Sequence, residues 1–71
     1  MLNIQIVEPD SLDQANGYFA VVCQNRVWFN GRSKDIVLKM FDKCQGGNKK
    51  IYVMSSSDDL LDLEHALKKA V

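Results

Sequence analysis

Tyr18-Phe19-Ala20-Val21-Val22-Cys23-Gln24-Asn25-Arg26-Val27-Trp28-Phe29-Asn30-Gly31 is the stretch on which the fold turns. Its first six residues are continuously apolar and rich in strand formers; Gln24-Asn25 interrupts them, and Arg26 to Phe29 resumes the pattern before Asn30-Gly31 ends it. The spacing predicts a β-hairpin turning at Gln24-Asn25, because Asn tolerates the positive φ of a tight hairpin turn. Strand side chains alternate, so Tyr18, Ala20 and Val22 point one way and Phe19, Val21 and Cys23 the other. Both sets are apolar. Either helices cover both faces of the sheet, or one face presents an apolar stripe to a partner.

Upstream, Leu2, Ile4 and Ile6 alternate with Asn3 and Gln5, the pattern of a first strand whose continuation Pro9 limits. Asp10 to Ala15 is polar and reads as a loop with room for one helical turn, closed by Asn16-Gly17. Downstream, Ser33 stands as an N-cap with Asp35 in the first turn. Ile36, Val37, Met40, Phe41 and Cys44 recur at helical spacing, and Gly46-Gly47 forms a C-cap. Ile51 to Met54 reads as a fourth strand. Ser55-Ser56-Ser57 then caps a second helix with Asp58 and Asp59 at its start, Lys68 and Lys69 at its end, and Leu60, Leu63, Leu67 and Val71 on its apolar side.

The expectation is therefore one small α+β domain over residues 1–71, of order β-β-β-α-β-α, with a mostly antiparallel sheet packed by two helices. Two sheet orders remain open. In one, the segment from Phe29 to Met54 is a crossover that sets the third and fourth strands parallel. In the other, the second and third strands form a hairpin and the fourth pairs with the first, which suits both helices on one face. A chain of 71 residues buries only about 60 to 65% of its unfolded surface, so self-association or a partner is a natural supplement to its core.

Composition narrows the function classes. Nine basic residues balance nine acidic ones, so no whole-molecule field draws the chain to nucleic acid or an anionic membrane. The N-terminus lacks the basic start and apolar run of a signal peptide, and no stretch approaches the ~20 apolar residues of a span. A cytoplasmic, non-membrane protein is expected. Cys23 and Cys44 are too few and too far apart to read as the framework of a secreted mini-protein, so reduced thiols are the default.

No convergent set of reactive groups stands out. Cys23 lies in an apolar strand and Cys44 ends a helix, where the dipole opposes a thiolate; both read as small core residues. His65 reads as a solvated helix residue without the partners a metal or proton shuttle needs. Asp58, Asp59, Asp62 and Glu64 suit the start of a helix and lack the central Gly of an EF-hand loop. Gly46-Gly47 follows a helix rather than preceding one, so it cradles no phosphate. No enzyme, metal or cofactor is expected.

Glu8-Pro9-Asp10 after the first strand, Asn16-Gly17-Tyr18 opening the second and Asn30-Gly31-Arg32-Ser33 before the helix, in the order β-β-β-α-β-α, resemble the partial RNase H-like domain of HicB-type antitoxins over about the first two thirds of the chain. The likeness is one of topology, without membership. An RNase H site would want carboxylates where Ile4, Met40 and Ser55 stand, so the resemblance implies a non-catalytic binding domain.

The leading expectation is a small regulator or inhibitor that docks a β-rich surface on a larger protein partner. Compact chains of this size and neutral charge are, by analogy, common as accessory proteins of phages and mobile elements. Trp28 is the expected interface anchor, with Tyr18, Phe19 and Arg26 as neighbours, since aromatic and Arg side chains dominate hot spots. Homo-oligomerisation is a companion expectation. The alternative, from a different class, is a nucleic-acid-binding or HicB-like regulator using Arg26, Arg32, Lys39 and Lys43 around Trp28, with Asp35 and Asp42 diluting that basic ridge.

Overall fold

The computed structural model describes residues 4–45 and 48–69. Along the chain run β1 (Gln5–Val7), a 3-10 helix (Pro9–Gln14), β2 (Tyr18–Cys23), β3 (Arg26–Gly31), α1 (Lys34–Lys43), β4 (Lys50–Met54) and α2 (Asp59–Lys69). This is the α+β order expected. Leu2, Gly46-Gly47 and Val71, to which the sequence assigns a strand position, a cap and a stripe position, lie outside the described residues.

Gln24 and Asn25 have φ of 55° and 63°, the positive pair that a type I′ turn requires, and they fold β2 onto β3 as expected. β4 inserts between β1 and β2, giving the order β1-β4-β2-β3, with every described pair antiparallel. The parallel crossover is thereby excluded. The pairing of the fourth strand with the first is observed, together with a pairing of the fourth with the second that the sequence reading did not include. Gly17 makes the entry to β2 feasible: its φ is 146°, and a Cβ there would stand 2.5 Å from the Met54 carbonyl oxygen.

The alternation along β2 builds two cores. Phe19 and Val21 join Leu12, Val37 and Ile51, with Leu38, Met40 and Phe41 of α1 packed on them. Ala20 and Val22 join Met54, Leu63 and Leu67, with Leu60 beside them. Because neighbouring residues of a strand face opposite ways, α1 and α2 cover opposite faces of the sheet. Of the two packings that the sequence leaves open, this is the one with a helix on each face, and it removes the open apolar stripe of Tyr18, Ala20 and Val22. β2 is apolar on both sides because both sides are interior.

Other departures have local causes. Leu12, within a stretch read as a polar loop, is fully buried because the 3-10 helix that Pro9 starts turns it onto the sheet. Ile6 and Ile36 are exposed at 56% and 43%: Ile6 sits on the short outer strand, and Ile36 lies at the edge of the arc that carries Val37, Leu38 and Phe41 inward. Ser33 occupies the N-cap position of α1 but its side chain makes no capping bond.

The reduced-thiol expectation is also overturned. Cys23 and Cys44 form a disulfide with Cα atoms 6.7 Å apart. Cys23 ends β2 on the α1 face, and Cys44 caps the C-terminus of α1, so antiparallel return of the helix over the sheet brings together residues separated by 21 positions.

Candidate interaction surface

β3 is an edge strand of six residues, twice the length of β1 at the other edge. Val21 pairs with Phe29 but Val22 pairs with Val27, so Trp28 is the extra residue of a β-bulge. A bulge bends its strand and re-aims the side chain it carries. Trp28 is accordingly turned outward, 59% exposed, while Phe29 packs on the α1-side core and Val27 on the α2-side core.

Two concavities lie at this end of the hairpin, and Trp28 lines the first. One, of about 370 Å³, is lined by Cys23, Gln24, Arg26, Val27 and Trp28. The other, of about 410 Å³, lies between the hairpin and the end of α2 and is lined by Asn25, Arg26, Val27, Glu64, Leu67 and Lys68. Arg26 and Val27 border both, at the hairpin tip. The walls of the second combine apolar groups with charges of both signs. Leu61, 65% exposed, precedes Glu64 and Lys68 by three and seven positions and therefore continues the same side of α2. A third concavity, of about 430 Å³, lies along β1. Gln5, Glu8, Ser11, Gln14 and Asn16 contribute much of its wall, and it has no aromatic anchor.

The four residues expected at a protein interface do not converge. Trp28 and Arg26 line the first concavity. Phe19 is 1% exposed in the α1-side core; its assignment as a contact residue is corrected, because the face it occupies is covered by α1. Tyr18 lies at the far end of the hairpin, where its hydroxyl donates to Asn30 Oδ1 and the Arg32 guanidinium sits 5.6 Å from its ring centroid. Arg26, Arg32, Lys39 and Lys43, the alternative basic set, are similarly scattered. Arg26 and Arg32 flank β3 roughly 20 Å apart along the strand, and Lys39 and Lys43 share the outer side of α1 with exposed Asp35 and Asp42. Leu61, Glu64 and Lys68 are not among the expected contact residues, and Leu67 is expected only on the apolar side of α2; the docking of α2 against β3 is what gives this flank a neighbour.

His65 is exposed, and among the described residues no three His, Cys, Asp or Glu side chains gather so as to hold a metal ion. No helix among the described residues is long and apolar enough to cross a membrane. No protein-family model, curated protein or solved structure matches the chain, so the topological likeness to HicB-type domains gains no support.

Proposed function

We propose that the chain is a non-catalytic interaction module that docks on a larger protein through the β3 edge and the groove between β3 and α2. The observation that carries this reading is Trp28: a large aromatic side chain turned to solvent by a bulge, lining a concavity whose Arg26 and Val27 also border the groove between β3 and α2. Exposed Trp and Arg side chains beside a concavity are the usual anchors of binding energy. An edge strand with a helix alongside also suits an extended partner segment, which pairs its backbone with the strand and drops alternate side chains into the groove. Beyond the bulge, Phe29 to Gly31 is the part of β3 best suited to such pairing.

A role as regulator or inhibitor follows from the same reading, since the module contributes a surface rather than a reaction. A cytoplasmic setting adds a condition. Reducing compartments keep thiols reduced, so the Cys23–Cys44 bond there is one that opens and closes.

Replacing Trp28 by a photo-crosslinking phenylalanine analogue in the native host tests the site. Crosslinks to one protein from position 28, lost when Arg26→Glu is added and absent from a probe at Lys39, are the expected result. Equal crosslinking from positions 28 and 39, or crosslinks only between copies of the chain or to nucleic acid, overturns it.

A further inference from the structure

We propose that Cys23 is a thiol-exchange site for small thiols that carry carboxylates, of the glutathione class. The two cysteines of the disulfide are unequally exposed. Cys44 is 3% exposed beneath the end of α1, whereas Cys23 is partly exposed and lines the concavity of about 370 Å³ that it shares with Arg26 and Trp28. Arg26 is the direct cross-strand partner of Cys23, so the two side chains project from the same face with Cβ atoms roughly 5 Å apart. A thiol entering this concavity meets Arg26 as a cation for its carboxylate, Trp28 as an indole wall, and the more exposed cysteine of the pair.

The chemistry balances without a further reagent. The incoming thiolate RS⁻ attacks Cys23 Sγ, the Cys23–Cys44 bond breaks, and its electron pair leaves on Cys44 Sγ, which takes a proton from water. The product is a Cys23–S–S–R mixed disulfide and a Cys44 thiol. A second thiolate attacks the sulfur of R and releases Cys23 as thiolate with RSSR; two thiols are oxidised and the protein gains two electrons. Excess RSSR drives the sequence backwards. The mirror reaction, attack on Cys44, requires a nucleophile to reach the less exposed cysteine. The mixed disulfide would occupy the concavity beside Trp28, but the assignment of the attacked sulfur stands whether or not a protein partner docks there.

Reacting the air-oxidised full chain with glutathione, quenching in acid, alkylating the released thiols and mapping peptides by mass locates the mixed disulfide. The expected product carries glutathione on Cys23 in about tenfold excess over Cys44, as access dictates. Arg26→Gln is expected to slow glutathione about threefold at low salt, the worth of an exposed charge contact, while leaving neutral 2-mercaptoethanol unchanged. Glutathione on Cys44, an even split between the two cysteines, a chain purified in air with both thiols free, or equal slowing of both reagents by Arg26→Gln would each overturn the proposal.

Discussion

On the α1 side of the sheet the core gathers Leu12, Phe19, Val21, Val37 and Ile51, all at most 1% exposed, whereas on the α2 side it gathers Ala20, Val22, Met54, Leu63 and Leu67, with Leu67 still 8% exposed. The two layers are also secured differently. α1 is joined to β2 by the disulfide, Lys34 Nζ donates to the Asp13 carbonyl at 3.0 Å, and Lys49 Nζ donates to the Phe41 carbonyl at 3.2 Å while lying 4.6 Å from its ring centroid. For α2, among the described residues, the side-chain hydrogen bond is a local one at its own start, from the Ser55 N–H to Asp59 Oδ2 at 3.2 Å. One strand, β2, feeds both layers, yet one layer is cross-tied and the other is held mainly by leucines. The α1 side should therefore set global stability, and α2 should open first.

The largest expected effect comes from Leu12→Ala. Leu12 is fully buried, and emptying its site should cost about 4 kcal/mol in urea unfolding, a large share of the stability of a domain this small. A cost below about 1 kcal/mol would show that the 3-10 helix is not part of the core.

Removing the disulfide ranks next. Closing a loop over a separation of 21 residues is worth about 3 kcal/mol by chain entropy. Reduction, or Cys23→Ala with Cys44→Ala, should lower stability by that order and raise hydrogen exchange in α1 more than in α2. Faster exchange confined to α2 would reverse the comparison.

Leu63→Ala probes the other layer. At 3% exposure the truncation should cost about 2 to 3 kcal/mol, and its signature should be local: α2 amides exchange faster through a sub-global opening while β2 and α1 keep their protection. Uniform acceleration across the chain would mean that both layers unfold as one unit.

The contrast between the layers also explains what could be read in the sequence. The helices, the hairpin and its turn were legible because each is written in local signals: Asp35 in the first turn of α1, Leu60, Leu63 and Leu67 at helical spacing, Asn25 at a positive φ. The apolar character of both faces of β2 was legible too, but two structures explain it equally well, and only the docking of α2 chooses between them. The disulfide was hidden because Cys23 and Cys44 meet only after the sheet and helix have assembled. Leu12 was hidden because a single apolar residue in a polar stretch has no period. Trp28 was legible as an anchor by residue type, while its exposure comes from a register shift that depends on how β2 satisfies both cores.

The smallest expected effect bears on that shared strand. Gln24 occupies a positive φ that Asn and Gly adopt with less strain, so Gln24→Asn with Asn25→Gly should stabilise the chain by about 0.5 to 1 kcal/mol. The hairpin holds β2, and β2 contributes Phe19 and Val21 to one layer and Ala20 and Val22 to the other. The gain should thus appear as slower exchange in α1 and α2 alike, unlike the one-sided effects of the disulfide and of Leu63. Protection gained in α1 alone would mean that α2 opens without disturbing β2, making it an independently mobile wall of the groove between β3 and α2.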